Sequence, residues 1–121
     1  MIYLDHAATA PVRREVLEAM WPYWTQYFAN PASHHEPGHA AAAGLTAARK
    51  QVAQLLGAKP SEIVFTSGGT EGANTAVKGI ARANSRGKHL IVSAIEHPAV
   101  LEAARALGRE GFELTIVSPE I

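Results

Sequence analysis

The chain has 121 residues, 47% of them hydrophobic and 18% charged, which is typical of one globular domain and excludes extended disorder. Eleven basic side chains balance eleven acidic ones, so the formal charge is zero and nucleic acid is not an expected partner. Cysteine is absent, which excludes disulfides and thiolate metal sites. Neither a long apolar run nor a secretory leader pattern occurs, so we expect a cytoplasmic protein without a membrane span.

An extended segment, a helix and a loop are predicted at the N-terminal end. Pro11 suits the first turn of a helix, and Pro22 predicts a kink or a break farther along it. Apolar and aromatic side chains recur at helical spacing, and this stripe favours packing against another domain or subunit over a ligand site. The stripe consists of Leu17, Met20, Trp21, Trp24 and Phe28. The two prolines and the glycine of residues 29–38 predict a loop.

Three β-rich runs alternate with helical patterns in the rest of the chain. A second helix is predicted before them, ending at Gly57. The runs are residues 62–66, 89–95 and 112–117, and helices are predicted at 70–85 and from Pro98 to Gly111. This order predicts an α/β fold: a βαβαβ unit with a parallel sheet and right-handed crossovers, preceded by an N-terminal helical segment. Three parallel strands expose both sheet edges, so we expect an incomplete domain.

Residues 35–39, His-Glu-Pro-Gly-His, spell the H-E-x-x-H pattern of many zinc metalloproteases. That site needs both histidines one turn apart on one helical face. Pro37 costs about 3 kcal/mol inside a helix, and Gly38 adds about 1 kcal/mol. Two helix starts stay open, namely Ser33 as an N-cap with a capping box or a start at Pro37 that leaves His35 outside. Neither places the motif inside a helix, so we expect no metal site.

The stretch SGGTEG after the first β-rich run is a candidate phosphate site. Glycines allow close backbone approach, and the helix that Thr70 opens offers unpaired N–H groups at the positive end of its dipole. The hydroxyls of Ser67 and Thr70 can add donors. The stretch matches neither a Walker loop nor G-x-G-x-x-G. An ordinary turn capped by Thr70 remains the alternative.

His97 follows the second predicted strand and precedes Pro98, a good first helical residue. In a parallel sheet this position lies on the same rim as the Gly69–Thr70 turn. An imidazole there can stack on a flat ligand or move protons near neutral pH. The alternative is that His97 only caps its helix.

The blocks YLDHAATAP, NPASHHEPG, EIVFTSGGTEGAN and EHPAV resemble the cysteine desulfurases in order and spacing. These are class V aminotransferase-like, fold type I enzymes that use pyridoxal 5′-phosphate and act as homodimers. The resemblance implies that residues 1–36 belong to an N-terminal, small-domain segment and residues 37–121 to the first part of the large cofactor-binding domain. It implies conversion of L-cysteine to L-alanine with transfer of the sulfur to an enzyme cysteine, for iron–sulfur clusters or tRNA thiolation.

Roles for particular residues follow from the same resemblance. Gly69 and Thr70 match the positions that bind the cofactor phosphate, and His97 matches the histidine that stacks on the pyridine ring and assists proton transfer. The remaining matches lie near the substrate: His6, Ala7 and Ala8 in the N-terminal segment, and Asn30, Pro31, Ser33 and His35 in an active-site loop.

The resemblance also implies that essential groups lie beyond the matched region. These are the Schiff-base lysine, the aspartate on the pyridine nitrogen, the substrate-binding arginine and the sulfur-accepting cysteine. We therefore expect no desulfurase activity from these residues alone. Two alternatives stay open: a sister enzyme such as a selenocysteine lyase, kynureninase or aminotransferase, or a non-catalytic chain, such as half of a split enzyme acting as an interaction module.

Overall fold

Four α-helices and two strands make up the regular structure of residues 2–120, which a computed structural model describes. The helices are α1 (Arg14–Thr25), α2 (Glu36–Leu56), α3 (Gly69–Ala83) and α4 (Pro98–Arg109), and the strands are β1 (His89–Ser93) and β2 (Glu113–Val117). The described chain forms two compact units, and the change from one to the other falls between Val64 and Phe65. The predicted domain boundary at residue 36 concerns the domains of a longer enzyme and stays a prediction.

Helix α1 begins at Arg14, three residues later than Pro11 suggested, because Arg13 is still extended (φ −64°, ψ 149°). Of the kink or break predicted at Pro22, the break does not occur, since the helix continues through the proline to Thr25, and the kink stays a prediction. Proline lacks an N–H donor, but the Pro22 carbonyl still accepts from the amides of Gln26 and Tyr27 at 2.8 Å each, so the hydrogen bonding continues beyond it.

Helix α2 ends as the sequence predicts. Gly57 is left-handed (φ 63°, ψ 26°), and its amide bonds to the carbonyls of Ala53 and Gln54. Within the same unit, α1 packs on α2 through the Tyr23 ring, which lies so close to Gly44 that a Cβ there would overlap it. A small residue at position 44 therefore sets how closely the two helices approach.

The second unit is a βαβ arrangement with an additional helix. Strands β1 and β2 pair in parallel, in the register from His89↔Glu113 to Ser93↔Val117. Helix α4 connects them and packs against α3 and both strands. Leu107, Ala103 and Ala104 of α4 are the most deeply buried side chains of this unit. The α/β fold class predicted from the sequence is confirmed.

The first predicted strand is not formed. Residues Pro60–Glu62 make a 3₁₀ turn, and residues 63–66 are irregular, with an extended backbone at Ile63 (φ −94°, ψ 122°). A β-strand requires a hydrogen-bonded neighbour, and within residues 2–120 the sheet consists of β1 and β2 alone. The β-forming side chains instead stay accessible, with Val64 at 72%. The described part of the predicted βαβαβ unit is therefore βαβ.

The aromatic stripe, which begins in α1 and ends beyond it at Phe28, is exposed in the described chain. Trp21, Trp24 and Phe28 have relative exposures of 63%, 59% and 74%. Exposed aromatic side chains in such number are typical of surfaces that another part of a protein covers. Packing of this stripe against another domain or subunit stays a prediction. None of the helices within residues 2–120 is long and apolar enough to cross a membrane.

Candidate functional site

The N-terminus of α3 presents backbone donors without a cap from the chain itself. Gly68 is the N-cap residue, its backbone is extended (φ 167°), and no side chain caps the helix. The first helical bond runs from the Gly72 amide to the Gly68 carbonyl at 3.0 Å, so the amides of Gly69 and Thr70 precede the hydrogen-bonded helix. A Cβ added at Gly68 or Gly69 would meet no atom within 4 Å. These two glycines therefore leave open space where a side chain would lie, and the amide donors and the helix dipole are suited to a phosphate group.

Ser67 and Glu71 form a clamp around this turn. The amide and the hydroxyl of Ser67 both donate to Oε2 of Glu71, at 2.6 Å each. The Ser67 hydroxyl bond, followed by the amide bond, lowers the pKa of Glu71 and keeps it a carboxylate. The expectation that the Ser67 hydroxyl adds a donor for a ligand is therefore wrong, because its one proton goes to Glu71. The carbonyl oxygen of Thr70 accepts a hydrogen bond from the Asn74 side chain, which leaves the Thr70 hydroxyl for a ligand.

His97 caps α4. Its Nδ1 accepts a hydrogen bond from the Ala99 amide at 3.1 Å, and its backbone is non-helical (φ −57°, ψ 143°). An Nδ1 that accepts an N–H must hold a lone pair, so the neutral ring carries its proton on Nε2. His97 is an exposed residue. The capping role that the sequence left open is confirmed, and the role of His97 at a cofactor stays a prediction.

The α3 turn and His97 both belong to the second unit, each at the start of a helix. Helices α3 and α4 pack against each other, and the Asn74 side chain lies within hydrogen-bonding distance of the Thr70 and Ala99 carbonyls. Neither Asn74 nor the clamp residue Glu71 was predicted from the sequence as part of this site. The four-residue spacing of Ser67 and Glu71 could have indicated the clamp. Asn74 could have been noticed as an asparagine among better helix formers.

The predicted substrate residues belong to the first unit. His6, Ala7 and Ala8 lie in a turn closed by the Ala8 amide on the Asp5 carbonyl at 3.1 Å. The Tyr3 and His6 rings contact each other edge to face, with the centroids 5.0 Å apart. The role of this turn at a substrate stays a prediction.

The loop before α2 is held by local hydrogen bonds. The Asn30 side chain accepts from the Ala32 amide at 2.9 Å, and the Asn30 carbonyl accepts from the Ser33 amide at 3.0 Å. The loop contacts Gly38 closely, because a Cβ on that glycine would lie 2.5 Å from the Ser33 carbonyl and 2.9 Å from the Asn30 carbonyl. Gly38 therefore allows the loop to fold onto the first turn of α2.

His35 is the N-cap of α2, and its Nδ1 accepts from the Gly38 amide at 3.1 Å. The helix begins at Glu36, so neither predicted start is right in detail: Ser33 is not the cap, and Pro37 is the second helical residue. His35 does lie outside the helix, with φ −130°, and so it shares no helical face with His39. Within residues 2–120, no group of three His, Asp or Glu side chains is arranged to hold a metal ion.

An apolar groove of 340 Å³ lies elsewhere on the second unit. Helix α3, β1 and α4 border it, and its walls include Ile80, Ile91 and Phe112. Among the described residues, neither Gly69–Thr70 nor His97 lines it. The candidate phosphate site is thus an open turn and is separate from this groove.

Comparison with known proteins supports the sequence resemblance. The profile of the family described as "Aminotransferase class-V" matches residues 2–120. The cysteine desulfurase IscS of Methanosarcina thermophila is 53% identical over 115 residues, which cover 94% of this chain and 28% of that protein. The corresponding protein of Dictyoglomus turgidum is 50% identical over 115 residues, covering 94% of this chain and 29% of that protein.

Solved structures give the same result. A NifS-like protein has a TM-score of 0.87 at 39% identity, covering 96% of this chain and 32% of that chain. SspA in complex with cysteine has a TM-score of 0.86 at 43% identity, covering 98% of this chain and 34% of that chain. The chain spans about three-tenths of the length of the curated relatives, 28% and 29%, and matches their N-terminal part. It therefore belongs to the class-V aminotransferase family, among relatives that are cysteine desulfurases.

Proposed function

We propose that this chain forms the N-terminal part of a pyridoxal-phosphate-dependent cysteine desulfurase, which converts L-cysteine to L-alanine and passes the sulfur to an enzyme thiol. One observation carries the proposal: the uncapped N-terminus of α3 and the imidazole of His97 occupy neighbouring helix starts in one unit. The curated relatives are named cysteine desulfurases, which favours this activity over that of a sister class-V enzyme.

In this proposal the turn of Gly69 and Thr70 holds the cofactor phosphate. The two amides lie at the positive end of the α3 dipole, and Gly68 and Gly69 leave open space where a side chain would lie. The Thr70 hydroxyl adds a side-chain donor. The Ser67–Glu71 clamp holds the turn in shape without using the amides that face the phosphate.

In this proposal His97 positions the cofactor by stacking on its ring and takes part in proton transfer. When bound, pyridoxal phosphate supplies the electron sink that stabilises negative charge at the substrate carbon. The Ala99 amide fixes the His97 ring through Nδ1, so one ring face is available for stacking and the proton at Nε2 is available for transfer.

The remaining features of the enzyme are proposed from the relatives. His6, Ala7, Ala8, Asn30 and His35 would line the substrate side. Cysteine is the proposed substrate, a homodimer the proposed assembly, and iron–sulfur assembly or tRNA thiolation the proposed use of the sulfur. The cytoplasmic location expected from the sequence stays a prediction.

A chimeric enzyme tests the proposal. In it, this chain replaces the matching segment of the Methanosarcina thermophila cysteine desulfurase, with which it shares 53% identity. The chimeric enzyme should release alanine from cysteine at a rate comparable with that of the parent, and the isolated chain should release none. A chimeric enzyme that folds and binds pyridoxal phosphate but releases no alanine would contradict the proposal. Alanine release by the isolated chain would show that the site does not depend on further polypeptide.

A further inference from the structure

Asn74 bridges the first turns of two helices. Its Nδ2 lies 3.0 Å from the Thr70 carbonyl oxygen and 3.4 Å from the Ala99 carbonyl oxygen. An amide nitrogen carries two hydrogens, so one side chain can donate to both carbonyls. Asn74 is half-buried within α3, where alanine is the better helix former. Helix propensity therefore does not explain an asparagine here, whereas the bridge does.

The two carbonyls belong to residues that matter for the proposed site. Thr70 is the second residue of α3 and carries the hydroxyl assigned to the phosphate. Ala99 lies in the first turn of α4, and its amide holds Nδ1 of His97 at 3.1 Å. A continuous set of hydrogen bonds thus runs from Thr70 through Asn74 and Ala99 to the His97 imidazole.

We propose that Asn74 is a positioning residue that fixes His97 relative to the Gly69–Thr70 turn. A cofactor held at the turn by its phosphate then meets the imidazole at a set distance, although Asn74 itself touches no reacting atom. The role of Asn74 in placing His97 at a cofactor rests on the proposed function. The bridge itself is a property of the chain without any cofactor, so it is tested separately.

The test uses the full chain without cofactor and two variants. Asn74→Asp keeps the size of the side chain but removes both donors, and Asn74→Ala removes the side chain. The matched control is Asn84→Asp at the other end of α3, where Oδ1 accepts from the Arg86 amide at 3.1 Å and a carboxylate can still accept. Nitrogen-15 NMR reports the protonation of the two His97 ring nitrogens, and hydrogen exchange reports the Ala99 amide.

Both Asn74 variants should accelerate exchange of the Ala99 amide by about fivefold, the loss expected for one ordinary hydrogen bond. They should also shift the His97 ring nitrogen signals toward those of a ring that exchanges between tautomers. Asn84→Asp should change neither signal. A merely structural role would alter helix content and leave the tautomer signal unchanged.

Unchanged His97 and Ala99 signals in both Asn74 variants, with helix content retained, would overturn the proposal. If Asn74→Asp does not fold, Asn74→Ala decides, because alanine favours the helix. Loss of helix in Asn74→Ala as well would assign Asn74 to general stability and would also overturn the proposal. Since no cofactor is present, an inactive chimeric enzyme leaves this result unaffected, and a failed bridge leaves the assignment of desulfurase activity standing.

Discussion

Replacing Gly38 with alanine is expected to destabilise the first unit by about 2 kcal/mol, even though alanine is the better helix former. The added Cβ would lie 2.5 Å from the Ser33 carbonyl oxygen and 2.9 Å from that of Asn30. Both are backbone atoms, so the loop cannot relieve the overlap by rotating a side chain. The loop must move away from α2, which also strains the bond from the Gly38 amide to His35.

Gly79→Ala is the matched control for this change. A Cβ at Gly79 meets nothing within 4 Å, and the residue is an exposed part of α3. The same substitution should therefore stabilise the second unit by about 0.5–1 kcal/mol.

Urea unfolding separates the two effects. The two tryptophans of the chain, Trp21 and Trp24, both lie in the first unit, so their fluorescence reports that unit. Gly38→Ala should lower the fluorescence midpoint, and Gly79→Ala should raise the stability of α3 amides in hydrogen exchange. An unchanged or raised fluorescence midpoint in Gly38→Ala would show that the loop does not pack on α2 as described.

Substitution of His97 should separate its capping role from its proposed role in the reaction. In the chimeric enzyme, His97→Ala loses the acceptor for the Ala99 amide and should cost about 1 kcal/mol of stability. Asparagine is a good N-cap residue, so His97→Asn should keep most of that stability. Both variants lack an imidazole, and alanine release should fall at least about 100-fold in each.

The decisive comparison is between His97→Asn and the unsubstituted chimeric enzyme. Retained stability with lost activity supports a role for the ring at the cofactor. Full activity in His97→Asn would show that His97 serves only as a helix cap. Thermal unfolding and alanine release, measured on the same preparations, give both quantities.

The sequence predicted the elements whose signals are local. Gly57 ends α2 because a left-handed residue closes that helix end. The pattern of residues 89–95 predicted β1, which begins at His89 as expected and ends two residues earlier, at Ser93. Residues 62–66 carry the same β-forming pattern, but their pairing depends on a neighbour that no local pattern specifies. The prediction of a strand there therefore failed.

The candidate site was predictable to a similar degree. The glycine turn and the histidine before Pro98 are visible in the sequence, since each precedes a helical pattern. The contacts that shape them were not visible. Glu71 binds back to Ser67, and Asn74 reaches Ala99 of another helix, 25 residues away in sequence. Such contacts depend on how two helices pack, which helical periodicity alone does not determine.

The central claim is that the Gly69–Thr70 turn binds the phosphate of the cofactor, and a comparison of two ligands tests it most directly. Affinities of the chimeric enzyme and its isosteric Thr70→Val variant are measured for pyridoxal 5′-phosphate and for pyridoxal, which lacks the phosphate. The variant should bind pyridoxal 5′-phosphate about tenfold more weakly, the loss expected for one hydrogen bond to a charged group, and should bind pyridoxal as before. Equal weakening for both ligands, or no weakening for either, would contradict the claim.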